Sequence, residues 1–208
     1  MKTVAIIEGG HSHEEIISRK SAKTIFKNID RNQYNPIRVS IDKKGWFALI
    51  DEQQYNIDKN DFSFTVNNKK QHFDFAFIVI HGTPGEDGKL QAYFDLLNIP
   101  YNTSSQLISA LTFNKFICNQ FLQNYGIKVA QAKLVRKGDY YDKSNIISEL
   151  GLPCFVKPAD GGSSFGITKV IKAEQLDEAI KKGMVHGTQV IIESFLSGRE
   201  VTNGIFLS

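Results

Sequence analysis

The stretch Cys154–Val170, reading CFVKPADGGSSFGITKV, constrains the fold of this chain more than any other. Phe155 and Val156 favour a strand. Pro158 can neither donate to a sheet ladder nor continue a helix, so the strand is expected to end there and leave Lys157 at its tip. Gly161 and Gly162 let backbone N–H groups approach a ligand closely, Ser163 and Ser164 add hydroxyls, and Lys157 adds a compact positive charge; together they suit a polyphosphate. Gly166 permits re-entry into a second strand, Ile167–Ile171. The same letters also fit a β-hairpin with a glycine-rich tip and a solvated lysine. A P-loop is excluded, because no G-x-x-x-x-G-K-[ST] occurs and no helix follows the glycines.

At 208 residues the chain has room for one large domain or two small ones, each with its own core. Lys and Arg total 25 against 22 acidic residues, a dispersed net charge of +3 without a basic stripe, which argues against a nucleic-acid partner. Cys118 and Cys154 form no C-x-x-C, so neither a zinc site nor a disulfide framework is implied and a reducing compartment fits. The N-terminus MKTVAIIEGG is too short in apolar residues for a signal peptide or a membrane span, and a cytoplasmic location is expected.

Val4–Ile7 reads as a buried parallel strand, and Gly9-Gly10 as the tight turn after it. Ser12 with Glu15 suggests a capping box, and Ile16, Ile17, Ala22, Ile25, Phe26 and Ile29 give one apolar helix face to about Asp30. Glu14, in the same first turn, either answers the helix dipole or points at a ligand beyond the strand ends. His11 and His13 could ligate a metal, although an isolated H-x-H is more often a solvated pair. Pro36–Ile41 and Trp46–Ile50 predict a hairpin, and residues 51–72, polar and without periodicity, predict a surface excursion. Phe73–Ile80 predicts a strand running into His81-Gly82-Thr83-Pro84-Gly85-Glu86-Asp87-Gly88, a loop placed where an α/β fold holds its ligand. His81 there is either a hydrogen-bonded core histidine or a site residue. A helix with Leu90, Phe94 and Leu97 follows, and the first domain is expected to end near Pro100–Thr103.

Helical patterning then runs to Gly126, with Lys115 among apolar neighbours as a snorkelling lysine would be. Val129–Arg136 predicts a strand, Asp142–Leu150 a helix stopped by Gly151, Ala173–Lys182 a helix, and Gln189–Glu193 and Val201–Leu207 strands. On local grounds Glu193 and Glu200 pass for surface acids at strand ends.

With HGTPGEDGKLQA at 81–92, VKPADGGSSFG at 156–166 and IIESFLSGREVT at 191–202, the sequence closely resembles the D-alanine–D-alanine ligase family of the ATP-grasp superfamily. The order and spacing of these motifs agree with the family, and the resemblance runs from Val4 to Ser208. It implies an α/β protein with a doubly wound, Rossmann-like N-terminal domain over 1–103, a central ATP-grasp subdomain over 104–194, and the start of a C-terminal subdomain over 195–208, the C-terminal third of such an enzyme lying beyond. It also implies ligation of two D-alanine molecules at the expense of ATP, through an acyl phosphate, for peptidoglycan precursor synthesis, in a homodimer. Lys115 and Lys157 would contact ATP phosphates and the loop of Ser163 and Ser164 would close over them. Glu193 and the backbone of Leu196 would receive the adenine, Phe195 would lie against the base, and Glu200 would take the ribose hydroxyls. Glu14 would hold the ammonium of the first D-alanine, oriented by Ser163, with His81 near the reacting phosphate. Magnesium is implied, with its ligands expected past Ser208.

One departure stands out. Where the family usually shows E-x-E-V-S, this chain has Glu14-Glu15-Ile16-Ile17-Ser18, apolar Ile16 replacing the second acid. Rival readings are another ATP-dependent carboxylate-amine ligase, a D-alanine–D-lactate ligase, or a non-catalytic nucleotide-binding module; a dehydrogenase is disfavoured because the first strand and helix lack G-x-G-x-x-G.

Overall fold

The computed structural model describes residues 1–162 and 165–204, which form two units: residues 1–118 with Gly161 and Gly162, and residues 119–160 with 165–204. The expectations for Ser163 and Ser164, and for the strand beyond residue 204, lie outside the described residues; Val201–Gly204 form no strand.

The first unit runs β1 (Lys2–Gly9), α1 (Glu15–Asn28), β2 (Tyr34–Asp42), β3 (Gly45–Ile50), β4 (Gln53–Asp58), β5 (Ser63–Val66), β6 (Lys69–Gln71), β7 (Phe75–Ile78), α2 (Lys89–Leu96), α3 (Gln106–Phe113) and the start of α4 (Lys115–Asn124). Among the described residues its strands make one sheet of order β6-β5-β4-β3-β2-β1-β7. β1 is parallel to β2, with Val4 opposite Pro36, and parallel to β7, with Ile7 opposite Ile78. Because successive side chains alternate in direction, Val4 and Ile6 pack with Ala22 of α1, while Ala5 and Ile7 join Val39, Ile41, Leu90 and Phe94 under α2. Helices thus cover both faces of β1, as its unbroken apolar run requires. Glu8 ends that run fully buried, gripped by Arg38 of the neighbouring strand at 2.8 and 2.6 Å and reached by Arg19 of α1 at 3.2 Å. These pairs tie α1 to the sheet.

Residues 51–72 are not a surface excursion. They form β4, β5 and β6, and they bury Ile57, Phe62 and Phe64. Phe62 is wholly enclosed, its ring centroid 4.9 Å from that of Phe94 and 5.2 Å from that of Phe73. Positive φ at Asp51 and Glu52 and again at Asn67 and Asn68 makes the tight reversals that fold these strands onto one another. The Ser12–Glu15 capping box does not form either. Glu14 is the cap residue of α1, and the Glu15 carboxylate pairs with Arg19 at 2.8 Å.

The second unit contains β8 (Ala132–Arg136), α5 (Lys143–Leu150), β9 (Cys154–Pro158), β10 (Thr168–Val170), a single 3-10 turn (Ala173–Gln175), α6 (Leu176–Met184) and β11 (Gln189–Ser194). Its described strands form an antiparallel sheet of order β10-β9-β11-β8. Asp142 caps α5 by accepting the N–H groups of Ser144 and Asn145. Val156, Val170, Val190 and Ile192 face α5 and α6 and meet Ile146, Leu150, Leu176 and Ile180 in the core. The intervening positions, Phe155, Lys157, Lys169, Ile191 and Glu193, share the opposite face.

Candidate functional site

In the first unit, β1 is followed by α1 and a neighbour on one side, β7 by α2 on the other. The chain therefore reverses its strand order beside β1, and α/β sheets hold ligands in the crevice outside the strand ends at that point. Two loops meet there, residues 10–14 after β1 and residues 79–88 after β7. The hydroxyl of Ser12 donates to the His81 carbonyl at 2.8 Å and accepts the Glu14 N–H at 3.2 Å. His11 N donates to the Thr83 carbonyl at 3.0 Å beside it. A Cβ on Gly82 would sit 2.9 Å from the Ser12 Cβ, and φ there is +73°, so glycine alone lets the second loop cross the first this closely.

The loop carrying His81 is braced from inside. Glu86 accepts the Gly82 N–H at 2.7 Å, and the imidazole Nδ1 of His81 lies 3.8 Å from Glu86 Oε1. Gln91 is wholly buried on α2, and its amide donates to the Gly85 carbonyl at 2.7 Å and to the Thr103 hydroxyl at 2.8 Å. Beside this loop an open cleft of about 390 Å³ is lined by Gly85, Glu86, Gln91, Ser109, Lys115 and Gly161, among others. The Lys115 ammonium, at the first position of α4, donates to the Gly161 carbonyl at 2.7 Å. The Glu14 carboxylate abuts Gly162, where a Cβ would stand 2.9 Å from Oε2. Glu14, Lys115 and the two loop glycines are thus gathered in this unit. Ile16, the departure from the E-x-E-V-S pattern, is 66% exposed, and Ser18, two positions further along that pattern, turns inward to accept the Gly9 N–H at 3.0 Å.

In the second unit, register builds the arrangement. Lys157 lies opposite Ile191 and Phe155 opposite Glu193, which makes Lys157 and Glu193 diagonal neighbours on one face. Their side chains meet at 2.6 Å, and the second Glu193 oxygen accepts from the Asn119 amide at 2.9 Å. The ring of Phe195 stands 6.1 Å from that of Phe155, with the Lys169 ammonium 5.1 Å from the Phe195 centroid. Two cations, an anchored carboxylate and two exposed or half-exposed rings on one sheet face can accommodate a flat base joined to a charged phosphate chain. Leu196 and Glu200 lie on the exposed stretch after β11. Asn119 and Ser12 were not predicted. Asn119 sits one helical turn beyond Lys115, a spacing that could have flagged it; the partner of Ser12 is too distant in sequence for any local signal.

Among the described residues no three His, Cys, Asp or Glu side chains gather to hold a metal ion, so His11 and His13 complete no such set and no residue is assigned to magnesium. No helix among them is long and apolar enough to cross a membrane.

Two family models account for most of the chain: the D-ala D-ala ligase N-terminus matches residues 3–104 and the D-ala D-ala ligase C-terminus matches residues 121–207. The chain belongs to the D-alanine–D-alanine ligase family. A family member from Phocaeicola vulgatus is 47% identical over 206 residues, covering 99% of this chain and 64% of its own length; one from Flavobacterium johnsoniae is 45% identical over 206 residues with the same coverage. The chain therefore spans less than two thirds of these relatives. Among solved structures, D-alanyl-alanine synthetase A from Vibrio cholerae superposes with a TM-score of 0.83 at 29% identity, over 94% of this chain and 60% of that one. The VanG D-Ala:D-Ser ligase of Enterococcus faecalis gives 0.81 at 30% identity, over 95% and 63%. The family's N-terminal domain and ATP-grasp domain correspond to the fold described above.

Proposed function

We propose that the protein acts as an ATP-dependent, ADP-forming ligase that joins two D-alanines for peptidoglycan precursor synthesis. The observation that carries this reading is the 47% identity, along nearly the whole chain, to relatives named D-alanine–D-alanine ligase. The local chemistry supports it. The face bearing Phe155, Phe195, Lys157 and Glu193 suits a nucleotide, the lysine offsetting phosphate charge and Glu193 offering an acceptor to the adenine edge. Lys115 and the loop of Ser163 and Ser164 would add cation and hydroxyls around the phosphates, Leu196 would contribute its backbone to the base, and Glu200 would take the ribose.

Glu14 would hold the ammonium of the first D-alanine, with His81 beside its carboxylate. A carboxylate oxygen of that amino acid attacks the terminal phosphorus of ATP and ADP leaves. The amine of the second D-alanine, having lost a proton, then attacks the acyl carbon and phosphate leaves. Lys115 and Lys157 contribute by neutralising charge and fixing positions rather than by forming bonds. Magnesium would accompany the polyphosphate; the reading also includes the cytoplasm as the place of action and a homodimer as the working assembly. The match to a D-Ala:D-Ser ligase favours a second reading in which the second substrate differs.

Coupled ADP release tests both, measured with ATP and D-alanine alone and then with D-serine or D-lactate added. Release with D-alanine alone, accompanied by the dipeptide, is the expected result. ADP that appears only with a second substrate would transfer the protein to the mixed-ligase reading, and no turnover with any of them would overturn both.

A further inference from the structure

We propose that Ser12 is a positioning residue for substrate: its hydroxyl locks the loop bearing Glu14 to the loop bearing His81, so that both side chains keep one orientation toward the same small molecule. The inference rests on the ligase reading for the identity of that molecule.

A serine hydroxyl has one proton to give and two lone pairs. Ser12 commits the proton to the His81 carbonyl at 2.8 Å and a lone pair to the Glu14 N–H at 3.2 Å, so it addresses the backbones of both residues at once. Ordinary helix capping does not account for this. The cap residue of α1 is Glu14, and a capping side chain would accept from the second or third helical N–H, whereas Ser12 accepts from the cap residue's own N–H. Losing the hydroxyl would therefore leave the first turn of α1 bonded as before, with Ile17 N and Ser18 N on the Glu14 carbonyl at 2.9 and 3.0 Å.

The loops would also stay attached. His11 N remains on the Thr83 carbonyl, Gly10 N on the Ile41 carbonyl at 2.7 Å, and Glu86 and Gln91 brace the second loop from within. What the hydroxyl adds is one anchor shared by the two loops: it holds the Glu14 N–H and, together with the Glu86 bond to the Gly82 N–H, the peptide that follows His81, two places where rotation would turn a substrate-facing side chain away. Small misplacements of this kind cost rate and affinity far beyond the energy of the bond itself.

The test uses the full polypeptide carrying Ser12→Ala, Ser12→Cys or Ser12→Thr, with ADP release followed against D-alanine and against ATP, and with melting temperature measured alongside. Ser12→Ala is expected to lower kcat/KM for D-alanine by about tenfold to a hundredfold, to leave KM for ATP within about twofold, and to melt near the wild-type temperature. Ser12→Thr, which keeps the hydroxyl, should recover most of the loss. A wild-type kcat/KM for D-alanine in Ser12→Ala overturns the proposal, and so does an equal loss for both substrates with a lowered melting point and no recovery in the threonine variant. If the alanine variant does not fold, Ser12→Cys decides, since it keeps the volume and weakens the bonds: a loss confined to D-alanine supports the role and unchanged constants refute it. A wild-type protein that releases no ADP with D-alanine would sink the ligase reading and this proposal together, whereas turnover that is indifferent to Ser12 sinks the proposal alone.

Discussion

Lys157 and Glu193 show how strand register places chemistry. Glu193 is unremarkable in its own segment and Lys157 is marked only by the punctuation around it, yet the antiparallel pairing of β9 with β11 sets them diagonally on one face and closes a 2.6 Å ion pair that is mostly shielded from solvent. A bond between charged partners of this kind is worth about 1.5–3 kcal/mol, and a nucleotide phosphate would draw on the same ammonium. Lys157→Met is therefore expected to weaken nucleotide binding by about tenfold or more, the equivalent of roughly 1.4 kcal/mol, in a calorimetric titration with ATP. Unchanged affinity would remove Lys157 from the site. The lysine and its glycine loop were legible in the sequence because Pro158 and the paired glycines punctuate the chain. Asn119 was not, because an amide on a helix declares nothing until the strand it reaches is in place.

Among the elements, β1, α1, β2 and α2 follow from their apolar patterns, since elements buried on a face or a stripe must show that burial in their periodicity. β4, β5 and β6 do not. They lie toward one side of the sheet and alternate a few enclosed side chains with exposed Gln, Asn, Asp and Lys, so their composition resembles that of a loop. The segment's contribution is concentrated in Phe64 of β5 and in Phe62, just before that strand. Phe62→Ala is expected to cost about 3–5 kcal/mol, visible as a lower thermal midpoint by circular dichroism, whereas a loss below about 1 kcal/mol would mean that this segment is peripheral to the core after all. The misplaced helix cap has a similar cause: Ser12 fits the capping pattern by spacing, but α1 is capped two residues later at Glu14, and the Ser12 hydroxyl instead bridges the Glu14 N–H and the His81 carbonyl, a partner that only the assembled sheet supplies.

For the molecule as a whole, Cys154 offers a probe of opening. It is wholly buried on β9, and burial pushes its thiol up from the ordinary value, so the reactive thiolate is suppressed in the folded state. Alkylation of Cys154, resolved from Cys118 by peptide mapping, should be slow in native buffer and fast in denaturant. If nucleotide binds the face carrying Lys157, ATP at a hundred times its dissociation constant should slow that labelling by about a hundredfold, the mass-action protection of roughly 2.7 kcal/mol. Labelling at the denatured rate in native buffer would contradict the burial, and indifference to ATP would contradict the site.

The two borders of the seven-stranded sheet carry a further consequence. One ends in β6, a strand of only three residues with Lys69 and Lys70 side by side. The other, β7, is sheathed: Ala76 N donates to the Pro100 carbonyl at 2.9 Å, and the Asn102 side chain takes the Ile78 N–H at 2.7 Å. Short, cationic or covered margins are what discourage two sheets from fusing into a continuous ribbon. Among the described residues, both borders of this unit's sheet therefore disfavour fibril-like growth by strand addition.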